Sequence, residues 1–158
     1  MNETCVKSKK FFKYISVFYL IYISSACSHQ QIPLQTVFSS NNCAIKEETL
    51  KSISEQSELN NLLQSIPKNF GQAPLSVPEV DYEKQSVVLY ALGQKPTGGY
   101  SIELYKTDAT LKEQKLYLPI RVQQPASNSN QIQLITSPCQ VYSLPHTDYS
   151  EIIIEDEL

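Results

Sequence analysis

Ser143, His146 and Asp148 stand close together in the chain and supply a hydroxyl, an imidazole and a carboxylate, the groups a nucleophilic hydrolase requires. Such a triad is assembled by tertiary geometry, however, and the Gly-x-Ser-x-Gly elbow that would expose a serine nucleophile occurs nowhere. The carboxylates of Asp81, Glu83, Glu103 and Glu151 are scattered, and their positions suit solvated turns and strands better than a paired acid and base. His29 and His146 have no Cys or His partner at ligand spacing, so no metal site is expected. The residues therefore predict a non-enzyme, with no catalytic residue and no cofactor.

A different chemistry is on offer at Lys95, Pro96, Thr97, Gly98, Gly99 and Tyr100. Gly93, Gly98 and Gly99 are three of the four glycines in the sequence, and they fall between two segments that read as strands. Pro96 fixes φ and removes a donor, the glycines permit left-handed backbone, and Tyr100 sets an amphipathic ring at the loop exit. A loop of this kind presents backbone N–H and C=O groups on a rigid support and can meet a partner chain edge-on. The alternative is that the glycines close a hairpin while Tyr100 packs inward.

The elements that hold this loop are legible as alternating patterns. Residues 86–92 form an almost continuous apolar run, expected as a central strand covered on both faces and paired as a hairpin with residues 100–105. Leu116, Leu118, Ile120 and Val122 predict a third strand, with Pro119 arguing for an edge or a bulge. Residues 132–136, 139–144 and 151–155 predict three more, and residues 45–53 suggest an edge strand. Leu59, Leu62, Leu63 and Ile66 share one helical stripe, which predicts a helix over residues 55–66 with Ser52 or Ser54 as its cap and Pro67 as its stop. The expected fold is a single α+β domain over residues 43–158, a small antiparallel sheet or roll of about five to seven strands with one helix packed on it.

Ahead of that domain, Lys7, Lys9, Lys10 and Lys13 precede a short apolar run and the small residues Ser24, Ser25 and Ala26, the pattern of an export signal over residues 1–26. Residues 27–42 are polar and predict a tether, within which residues 34–38 could form a short strand. Without the signal the chain carries nine basic and fifteen acidic residues, which argues against a nucleic-acid partner. Cys43 and Cys139 remain as an even pair in an oxidising compartment, either joined as a disulfide or buried as two separate thiols. Ala26 before Cys27 resembles the lipobox of bacterial lipoproteins, with Ser24 where the family prefers an aliphatic residue. That resemblance implies acylation of Cys27 with palmitate-type chains, and Ser28 after it implies the outer membrane. Cleavage by an ordinary signal peptidase near Ala26 is the alternative.

The string Gly93-Gln94-Lys95-Pro96-Thr97-Gly98-Gly99-Tyr100-Ser101-Ile102, and later Thr136-Ser137-Pro138-Cys139-Gln140-Val141 with Leu144-Pro145, resembles the C-terminal domain of PrcB-type protease-complex subunits. The family commonly carries an aromatic residue where this chain has Cys139. The resemblance implies an exported accessory or assembly subunit that binds a protein, in the type member within a surface protease complex, and is not itself the protease. Pro96-Thr97-Gly98-Gly99-Tyr100 is also similar to the Pro-Thr-Thr-Gly-Tyr loop of chagasin-type inhibitors of cysteine proteases, which implies protease inhibition as the alternative function. The other inhibitory loops of that family are not recognisable, and the chain contains no Trp.

Overall fold

The computed structural model describes residues 29–67, 77–126 and 131–155; residues 1–26, where an export signal is expected, and Cys27 lie outside the described residues. The elements follow in the order β1 (Gln30–Pro33), β2 (Gln35–Ser40), β3 (Glu48–Ile53), α1 (Gln56–Ser65), β4 (Gln85–Leu92), β5 (Ser101–Leu104), β6 (Asp108–Lys112), β7 (Lys115–Leu118), β8 (Ile120–Gln123), β9 (Cys139–Pro145) and β10 (Glu151–Ile154). The last six residues of β4 are all buried. This follows from its position, since it pairs antiparallel with β3 on one side and with β9 on the other, in a sheet of order β2-β9-β4-β3.

Both faces of that central sheet are covered, so alternate residues of β4 feed two separate cores. Val87, Leu89 and Ala91, with Cys139 and Val141 of β9, meet Leu59, Leu63 and Ile66 of the helical region. Val88, Tyr90 and Leu92, with Tyr142 and Leu144, face the opposite way and meet Ile32, Leu116, Leu118 and Ile120. The second layer is a sheet of order β1-β6-β7-β10 together with a β5–β8 ribbon. The helix starts at an N-cap, Glu55, that makes no side-chain cap bond. Instead Glu58 reaches back, accepting from the Ser54 amide (3.3 Å) and from Lys51 Nζ (2.6 Å), so neither Ser52 nor Ser54 serves as the cap.

The α+β class holds, but several expectations are corrected. Ten strands are present among the described residues, more than the five to seven expected. Residues 30–33 and 35–40, expected within a polar tether with at most a short strand at 34–38, form β1 and β2, with Ile32 and Leu34 buried among polar neighbours and Pro33. The expected hairpin between residues 86–92 and 100–105 does not form: β5 pairs with β8, and the β4 edges are taken by β3 and β9. The single strand expected over residues 116–122 is two strands that switch sheets at a fully buried Pro119, whose carbonyl accepts from the Tyr105 amide at 3.1 Å. Pairing is antiparallel throughout except for β10, which lies parallel to β7. The β6–β7 hairpin turns on Glu113 (φ +51°) and Gln114 (φ +60°), two non-glycine residues in left-handed backbone, as a type I′ turn demands.

Candidate functional site

The loop after β4 is set by a glycine that nothing else can replace. Gly93 has φ +71°, and a Cβ built on it would stand 2.8 Å from the Glu47 carbonyl carbon and from the Glu48 nitrogen. That close approach lets Gln94 N donate to the Lys46 carbonyl at 3.0 Å. Beyond it Lys95 and Thr136 exchange both backbone hydrogen bonds, at 2.8 and 3.0 Å, Gly98 N donates to the Ile132 carbonyl at 3.1 Å, and Thr136 Oγ1 donates to the Thr97 carbonyl at 3.0 Å. The loop is therefore laced along one flank to residues 132–136. The Lys95 N–H and carbonyl, the Thr97 carbonyl and the Gly98 N–H are thus already satisfied, so this flank of the loop is not an open edge. What faces solvent is Pro96 and Gly99, while Tyr100 is half-buried against the core and the Lys95 ammonium stands 5.8 Å from the centroid of its ring.

The flanking segment is the part that sequence reasoning misplaced. Residues 132–136 were expected as a strand, yet Ile132, Leu134 and Ile135 are 76%, 62% and 63% exposed, and only Thr136 makes a bridge, to Lys95. They are the large hydrophobic side chains exposed among the described residues. The interleaved Gln131 and Gln133 imitate a half-buried strand, and no local signal separates that from a segment standing clear of the body.

Beneath the loop, Cys43 and Cys139 are joined as a disulfide, with Cα atoms 6.0 Å apart and both residues 1% exposed. The bond holds residues 41–46 against the start of β9. Cys43 N donates to the Ser137 carbonyl (2.8 Å), Ser137 N to the Asn41 carbonyl (3.0 Å), and Ser137 Oγ to the Ile45 carbonyl (2.6 Å). Ser137 is 1% exposed, so these bonds satisfy a buried polar residue. It directly follows Thr136, which carries the loop, so the disulfide, the buried serine and the loop form one connected base.

The hydrolase-like residues do not converge. Ser143 is buried on β9, in register with Gln35 and Val87, while the exposed His146 lies beyond the strand end, with Nε2 4.0 Å from Asp148 Oδ1. The scattered acids meet ordinary partners: Asp81 pairs with Lys84 (2.6 Å), Glu151 with Lys115 (2.7 Å), and Glu103 accepts from Gln123 Nε2 (2.8 Å). The Lys84 hydrogen bond holds the Asp81 carboxyl below the usual range. A cavity of about 300 Å³ beside His146 is lined by Ser52, Tyr82, Ser86 and Tyr149, and the Tyr82 hydroxyl is buried there without a hydrogen-bond partner. No group of three or more His, Cys, Asp or Glu residues is placed to hold a metal among the described residues. Nor is any described helix long and apolar enough to cross a membrane.

The residues that resemble a known family can now be set on this geometry. Residues 86–145 match the family model described as PrcB C-terminal. Over these 60 of its 158 residues the chain is similar to PrcB C-terminal domains. The match begins one residue into β4 and closes with the last residue of β9, so the matched stretch includes the loop, the exposed residues 132–135 and the two central strands. The helix, β1 to β3 and β10 lie outside it: β2 and β3 form the edges of the central sheet, and the helix, β1 and β10 contribute to the layers that cover it. Among curated proteins and among solved structures, no match was found.

Proposed function

We propose that this chain is a non-enzymatic, exported accessory subunit that binds a protein partner, a component of a protease complex, through the loop of Lys95, Pro96, Thr97, Gly98, Gly99 and Tyr100. The PrcB C-terminal match points to association with a protease complex. The observation that carries the binding surface is the bracing of this loop against residues 132–136, where the exposed hydrophobic side chains gather. A surface held in one conformation loses little entropy on association. In this reading Cys27 is acylated and anchors the domain at the outer membrane, as the lipobox resemblance implies.

Affinity purification of the tagged full-length chain from membranes of the producing cells tests the reading. The wild type should retain a protein partner, and a variant in which residues 95–99 are replaced by a two-residue turn should lose it. Equal recovery with both refutes the loop as the interface. A recovered protease whose activity falls when the wild-type chain is added would favour inhibition, the second function suggested by the exposed Pro96 and Gly99.

A further inference from the structure

The loop and the segment laced to it differ from the rest of the chain in charge as well as in polarity. Fifteen acidic residues follow the export signal, yet none lies in residues 93–100 or 124–147. Lys95 is the one charged residue of residues 93–100 and 131–136. It makes no ion pair among the described residues, its ammonium resting over Tyr100, and the nearest charged residues along the backbone contacts, Lys46, Glu47 and Glu48, sit at the base beside Gly93. Above that base Gln133, Leu134 and Ile135 are exposed in succession, as is Ile132 before them. A strand lying on a sheet would hide every second side chain. Four exposed neighbours in a row therefore make a convex projection, with one cation at its foot.

Resting on the reading of this surface as a partner interface, we propose that Ile132, Leu134 and Ile135 form an apolar prong that enters a groove on a protein partner, and that the groove carries a carboxylate on its rim opposite Lys95. A convex apolar projection is complementary to a concave apolar surface, and with no acid in residues 93–100 or 131–136 and no ion pair to it among the described residues, Lys95 is available to a carboxylate. Two other occupants fit the observations less well. An anionic bilayer attracts clustered basic residues, whereas this surface offers one Lys on a chain with more acids than bases. A second copy meeting the same surface about a two-fold axis would bring acid-free faces together and leave each Lys95 without a counter-charge.

The test uses the full-length chain in membranes of the producing cells, with a photo-crosslinking side chain at position 134, a second at the exposed His146 as a control, and a carbodiimide to couple Lys95 to any adjacent carboxylate. The expected result is that position 134 and Lys95 map to one partner protein, position 134 to an apolar segment and Lys95 to an Asp or Glu close to it. Leu134→Ser should then weaken retention of that partner by about 10-fold or more. Lys95→Glu should weaken it with the salt dependence reversed. Leu134 is exposed and Lys95 half-buried, and unchanged thermal midpoints would establish that the variants fold. Crosslinks from position 134 to lipid or to a second copy overturn the proposal, as does a partner crosslink lacking any Lys95 coupling. A partner captured only from position 146 overturns it too, while leaving the accessory-subunit reading standing; no protein captured from any position removes both.

Discussion

Cleaving the Cys43–Cys139 bond while leaving every side chain in place should cost most of the stability of the domain. The bond joins residues 96 apart in sequence. Its loss frees the denatured chain by about 4.7 kcal/mol on the chain-entropy relation for a loop of that size. Domains of this kind are stable by roughly 5–15 kcal/mol, so the loss is a large fraction of the total. With a urea dependence of roughly 1.5 kcal/mol/M, the unfolding midpoint should fall by about 3 M. Both cysteines are 1% exposed, so the bond is best reduced in denaturant before refolding. Unfolding of the oxidised and reduced chains can then be followed by far-ultraviolet circular dichroism and by tyrosine fluorescence, the sequence having no Trp. A midpoint shift below about 1 M at unchanged slope would refute the reasoning, because the closed loop would not then be what restrains the denatured state.

Other perturbations probe other parts of the same account. Gly93→Ala should destabilise by roughly 2 kcal/mol or more, from its left-handed backbone and the 2.8 Å approach to Glu47 and Glu48, and a thermal midpoint equal to wild type would contradict the geometry. Replacing Glu113 by Asn together with Gln114 by Gly should stabilise the β6–β7 turn by about 0.5–1 kcal/mol in urea unfolding, because both positions have positive φ. Exchanging Ile132, Leu134 and Ile135 together for Ser should change stability by no more than about 0.5 kcal/mol per site, while Leu63→Ala at a fully buried position should cost about 2–5 kcal/mol; similar losses for the two would place the exposed residues in the core. Burial raises the phenol pKa of Tyr90, with Glu48 adding to it, and burial likewise raises that of Tyr142. A raised folded-state pKa means that this stabilisation is complete below the unfolded value of about 10 and is lost as pH rises above it. Ultraviolet difference titration should therefore show these two phenols ionising only with alkaline unfolding.

Local periodicity was sufficient for the elements whose neighbours in space follow from their own pattern. Leu59, Leu63 and Ile66 share a helical stripe and are all buried, and the unbroken apolar run of β4 is covered on both faces. Pairing was not legible, because it depends on distant residues: β4 takes β3 and β9 as neighbours, leaving the adjacent β5 to pair with β8. Glutamine-rich β1 reveals too few apolar positions to register as a strand, Ile32 alone being buried in it, whereas β2 was legible as a short strand over residues 34–38. Pro119 was legible as a disturbance, but the switch between sheets that it makes requires both sheets to be known. At the candidate site the glycines marked the loop. The lacing to residues 132–136 that closes its backbone joins segments nearly forty residues apart, as the Thr136 to Thr97 bond shows, and no local pattern encodes it.

The early start of β1 changes what an anchor at Cys27 would mean. A sixteen-residue tether from 27 to 42 could span roughly 50 Å when extended, enough to let the domain search a wide shell above the bilayer. With Gln30 already paired to Leu111, only Ser28 and His29 lie between Cys27 and the first strand, three steps along the chain and a reach of about 10 Å. An acylated chain would thus ride at the lipid headgroups and sweep the membrane plane in two dimensions, meeting partners that are themselves confined there and passing beneath those that project far from it.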